Sequence, residues 1–170
     1  MKKVIVLIAV LFAVNSQAQI KNATLQASGL TCAMCSKAVY KALTAIPFVE
    51  KVQPDIERSL YTLTFKTGNK VDLDALSKAV VNAGFSVSML KITTQFNEAK
   101  VQNDAHVTLD DQTFHFLNVS PQTLNGTKTI TLIDKNFVSA RDYKKYGKLT
   151  TQPCYVSGTK NGQRVYHVTI

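Results

Sequence analysis

Two helix-period segments, each with its own stop, stand among short alternating runs between residues 21 and 92. From Cys35 onward, Val39, Leu43 and Ile46 recur at helical spacing, and Ala38 and Ala42 widen the stripe. Pro47 lacks a backbone N–H and ends that helix. Asp72 can cap a second helix carrying Leu73, Leu76, Val80 and Ala83, and Gly84 can close it. Around these helices, "NATLQAS", "FVEKVQPDI", "LYTLTFKTG" and "FSVSMLKI" read as strands. Pro54 assigns the second strand to a sheet edge, because proline cannot donate to a ladder. Tyr61, Leu63 and Phe65 share one face of the third.

The order strand, helix, strand, strand, helix, strand predicts an α+β, ferredoxin-like βαββαβ unit over residues 19–92. Its two helices would cover one face of a four-stranded sheet. Residues 93–104, "TTQFNEAKVQND", are polar and weakly periodic and are expected to form a linker. Residues 105–170 change character. "AHVTL", "QTFHFL" and "TKTITLI" are short alternating runs, and a short helix is expected around "FVSARDYKKY". "QPCYVSG" and "QRVYHVTI" flank "TKNG" as a closing hairpin. This half is expected to be a small β-rich domain, either an oligonucleotide-binding-type barrel or a generic β fold.

Residues 1–18 have the pattern of an export signal. Lys2 and Lys3 precede an apolar run from Val4 to Val14, and the small residues Ser16 and Ala18 follow. The run is short for a bilayer span, so no stable membrane insertion is expected and the mature chain should be periplasmic or secreted. Lys and Arg exceed Asp and Glu, for a formal charge of +9. Export argues against nucleic acid as a partner, and basic and aromatic residues do not alternate as a stacking surface requires. The excess charge suits an acidic partner surface, or simply keeps the fold soluble.

The chain has three cysteines, too few for a disulfide framework. Cys32 and Cys35 fall at the start of the first helix, where unpaired N–H groups and the helix dipole favour thiolates. Two soft sulfurs on an open loop suit Cu(I) or Hg(II). Structural zinc takes four ligands, and no second pair of cysteines or histidines at such spacing accompanies these. A thiol–disulfide redox role and a structural disulfide are the rival readings of the same pair.

"GLTCAMC", Gly29 to Cys35, resembles the metal-binding loop of heavy-metal-associated domains, which include copper chaperones and periplasmic mercury-binding proteins. The resemblance covers residues 21–92. It implies that Cys32 and Cys35 bind the metal, Cu(I) first and Hg(II) as the alternative. It also implies exchange with a thiol-containing donor or acceptor protein. Gly29 opens the matched loop, Leu30 would tuck beneath it, Thr31 would support it, and Phe85 would follow Gly84 beside it. Lys37 lies close enough in sequence to stabilise thiolates, or is simply a solvated lysine.

Other soft or basic ligands are scattered. Met34 is expected to face solvent and Met89 the core. His106 and His115 flank a turn at Asp110-Asp111, so opposed strands could bring their imidazoles together. His167 is expected on the outer face of a strand. Cys154 reads as a buried inert thiol or as one available to a partner. No hydrolase, zinc-protease or phosphate-loop motif is present, so the chain is not expected to be an enzyme.

Overall fold

The computed structural model describes residues 20–109 and 111–170. The expected export signal over residues 1–18 lies outside them. Among the described residues, no helix is long and apolar enough to cross a membrane.

β1 (Ile20–Ser28) buries Ile20, Ala23, Leu25 and Ala27. α1 (Ala33–Thr44) follows, turning Ser36, Val39 and Leu43 inward. β2 (Val49–Asp55) and β3 (Leu60–Phe65) pair antiparallel, with Tyr61, Leu63 and Phe65 buried on one face of β3. α2 (Leu73–Asn82) starts at Asp72, whose carboxylate accepts the N–H groups of Asp74 and Ala75. Each Val, Leu, Ile or Phe side chain so enclosed contributes about 1.5–3 kcal/mol. The order β2-β3-β1-β4 completes the expected βαββαβ unit, with β2 at the edge that Pro54 predicts.

β4 corrects the expected boundary. It runs without a break from Ser86 to Val101 and so absorbs most of the supposed linker over residues 93–104. Leu90, Ile92, Thr94 and Phe96 are buried on one face. Thr94 and its polar neighbours disguised a period-2 strand as a connector. A bulge between Phe96 and Ala99, with Glu98 at φ 48°, interrupts the ladder only locally.

The C-terminal residues extend the same sheet. β5 (Ala105–Leu109), β6 (Gln112–Phe116), β7 (Gln122–Leu132) and β9 (Gln163–Thr169) give the full order β2-β3-β1-β4-β7-β9-β6-β5. This replaces the expected separate oligonucleotide-binding-type barrel. β7 pairs along β4, so the second half is built on the last strand of the first. One buried cluster contains Leu25, Leu63, Ile92, Phe96, Phe116, Leu132 and Val168.

α3 (Ala140–Gly147) matches the expected short helix and is capped by Ser139. The segment expected as the first arm of the closing hairpin is instead α4 (Cys154–Ser157). Pro153, at φ −64°, starts this turn, and Gly158, at φ 69°, ends it in the left-handed region. The hairpin survives in reduced form, as β8 (Thr159–Lys160) against β9. β9 lies between β7 and β6, and Val165 to Thr169 are all buried. A strand covered on both faces loses its in–out alternation. His167 is therefore buried, not on an outer face as expected.

Candidate metal centre

The β1–α1 loop places two sulfurs at the start of a helix. Gly29 takes φ 86°, a conformation that side chains with a Cβ rarely adopt. Any Cβ there would stand 3.8 Å from the Phe85 ring, so Phe85 lies directly against this turn. Leu30 packs on the core beneath it. Cys32 is the N-cap of α1, a position usually held by serine, threonine, aspartate or asparagine. Its sulfur accepts the Cys35 N–H at 3.3 Å. The two sulfurs lie 2.7 Å apart, with Cys32 exposed and Cys35 half-buried.

The Cys35 thiol is held below its ordinary value of 9.0. The Cys32 side chain contributes most, followed by the backbone of Thr31. Thr31 Oγ1 stands 4.0 Å from Cys35 Sγ. Met34 is 71% exposed and faces solvent. Lys37 is exposed on α1 and makes no hydrogen bond to either sulfur; it borders a shallow apolar groove with Tyr40 and Ile56. Met89 is half-buried, beside the core rather than inside it.

Residues 24–86 match the heavy-metal-associated domain family. A curated relative, the periplasmic component of mercuric transport from Shigella flexneri, is 36% identical over 66 residues, spanning 39% of this chain and 71% of the relative. The chain belongs to the heavy-metal-associated domain family. Among solved structures, oxidised MerP from Ralstonia metallidurans CH34 is 31% identical, covering 41% of this chain and 96% of its own, with a TM-score of 0.38. The yeast copper transporter domain Ccc2a, solved in apo and Cu(I)-loaded states, is 22% identical, covering 39% and 90%, with a TM-score of 0.36. The family match over residues 24–86 covers the N-terminal part of the chain, and the strands after β4 lie outside it.

A second group of ligand-type side chains gathers in that outer part. His106 and His115 are direct register partners on β5 and β6, and their rings stack at 4.2 Å with 6° between planes. Cys154 Sγ lies 3.5 Å from His106 Nε2 and 3.6 Å from His115 Nδ1. Burial pushes His115 down to about 4 and lowers His106, while it raises the Cys154 thiol. Asp104 Oδ1 lies 3.1 Å from His115 Nε2. The expected burial of Cys154 is found, but two imidazoles flank the sulfur. No sequence signal linked Cys154 or Asp104 to the two histidines.

Proposed function

We propose that the heavy-metal-associated domain carries a soft metal ion, Cu(I) before Hg(II), on Cys32 and Cys35 and passes it to a thiol on a partner protein. The carrying observation is the convergence of two sulfurs at an exposed helix N-terminus, where Cys32 already accepts a backbone N–H. Soft thiolates favour a soft ion, and an open pair leaves room for an incoming third sulfur. The ion is cargo here, and the reading is of a carrier rather than an enzyme. Export to the periplasm suits the pattern of residues 1–18 and the periplasmic relative. Lys37 and Lys41, exposed on α1, suit an acidic docking surface on the partner.

Hg(II) is the second reading, and the mercuric-transport relative favours it. The closeness of the sulfurs adds a condition, since oxidation to a disulfide would switch carriage off. A Cu(I) competition titration on reduced full chain, with metal-edge X-ray absorption, tests the proposal. One sulfur-only ion is expected, distinct from any copper held by imidazole, lost in Cys32→Ser and in Cys35→Ser and transferable to an apo acceptor bearing a cysteine pair. An unchanged sulfur-only site in both variants would overturn it, and Hg(II) held against excess Cu(I) would reverse the order of metals.

A further inference from the structure

We propose that His106, His115 and Cys154 form a second metal site, which takes a copper ion through two imidazole nitrogens and one sulfur. Two strands and α4 supply its ligands, and a third strand lies beside them. His106 on β5 pairs with His115 on β6, and His115 pairs in turn with His167 on β9. The three imidazoles therefore form a ladder across the sheet. Cys154, the first residue of α4, sets its sulfur against the first two.

The distances suit a shared ion. A metal about 2.3 Å from sulfur and about 2.05 Å from nitrogen, at tetrahedral to trigonal angles, separates those donors by roughly 3.5–3.8 Å. The two sulfur–nitrogen separations are 3.5 and 3.6 Å, and the three donor atoms all lie within 4.8 Å of one another. The rings stand parallel, so closure requires a tilt. His106 is half-buried and has the freedom to supply it, and its side is also the route by which an ion reaches the cluster.

The proton arrangement favours a ligand role. The Asp104 carboxylate can only accept, so His115 Nε2 carries the proton and Nδ1 presents a lone pair to the sulfur. A carboxylate behind a histidine is the usual support of a metal-bound imidazole. Asp104 holds that place at φ 62°, with its N–H donating to Phe116 O at 2.9 Å. His167 lies next to this group but is not one of its three convergent donors. It stands edge-on to His115 at 5.2 Å, with Nδ1 bound to Asp134 at 2.8 Å and a buried Nε2 that has no hydrogen-bond partner among the described residues.

Two imidazoles and one thiolate are a copper donor set, whereas structural zinc takes four ligands. Cys154, His115 and Asp104 also line up as nucleophile, base and orienting acid. Cys154 is only 3% exposed, however, so a substrate cannot reach it, and a triad would leave His106 without a role.

The test uses the full chain with Cys32→Ser and Cys35→Ser, so its outcome does not depend on the first pair. Cu(I) is titrated against a chromogenic chelator, and copper-edge absorption reads the donors. One equivalent is expected, with nitrogen and sulfur in a two-to-one ratio. Cys154→Ala should abolish it, and Asp104→Asn should weaken it about 10–100-fold. His106→Gln, at a half-buried position, carries the test if Cys154→Ala fails to fold. No copper bound, binding indifferent to His106→Gln, or complete displacement by equimolar Zn(II) would each overturn the assignment.

Discussion

Arg164 on β9 holds Asp74 in the first turn of α2 through two bonds, Nε to Oδ2 at 2.8 Å and Nη2 to Oδ1 at 3.0 Å. The same guanidinium reaches Asp134 Oδ1 at 3.4 Å and the Gly158 carbonyl at 3.3 Å. One side chain therefore ties the heavy-metal-associated domain to the strands added after it. Asp134 is buried, and its other partner is His167.

Removing this fork should destabilise the whole chain. Arg164→Met leaves the buried Asp134 carboxylate without its cation, at a cost of about 2–4 kcal/mol. Arg164→Lys should fall between, because an ammonium cannot form the bidentate pair. Asp74→Asn should cost about 1 kcal/mol or less, since Asp74 is 41% exposed. Urea midpoints measure all three, and a shift equivalent to under 0.5 kcal/mol for Arg164→Met, small beside a buried-pair loss, would refute the assignment.

Phe96 tests whether the two halves share one core. It is fully buried on the stretch of β4 that resembles a linker, and it meets Phe116 edge-on at 6.5 Å. Phe96→Ala should cost about 3–5 kcal/mol. Signals from both halves should then melt together at a lower midpoint. A fragment over residues 101–170 should fail to fold, because β7 loses the ladder it forms with β4. Dispersed amide signals from that fragment would contradict a shared core.

The thiols should separate by reactivity. Cys35 lies below the ordinary thiol value, so its thiolate persists as pH falls beneath 9.0. Cys154 lies above that value and is buried, so it stays protonated and shielded. Alkylation of reduced, metal-free protein near neutral pH, followed by mass spectrometry, should label Cys35 well before Cys154. Equal rates would disprove the contrast.

Acid should weaken the metal-free fold through His115. Burial holds this ring to about 4, against 6.5 for an ordinary imidazole. As pH falls from 6.5, the unfolded chain takes up a proton that the folded chain refuses, so stability drops until pH reaches about 4. The sign is that of a depressed base, with stability present above the window and lost within it. The contribution is about 3 kcal/mol. His115→Gln should flatten this slope in denaturation curves collected between those pH values, and an unchanged slope would count against it.

The sequence by itself determined what is local. Val39 and Leu43, Tyr61 and Leu63, and the stops at Pro47 and Gly84 define the βαββαβ unit, because periodicity and capping act over a few residues. Cys32 and Cys35 were legible for the same reason, since a helix N-terminus dictates where both sulfurs go. The turn between β5 and β6 made the meeting of His106 and His115 conceivable, but only the observed register brought it about. Tertiary structure decided the rest. Cys154 joins those rings across 48 and 39 residues of chain, and β6 meets β9 in parallel although α3 and α4 separate them in sequence. Thr94 and His167 misled for one reason: a polar side chain goes inside when its strand lies mid-sheet, and strand order is set by the burial of the whole core rather than by any local run of residues.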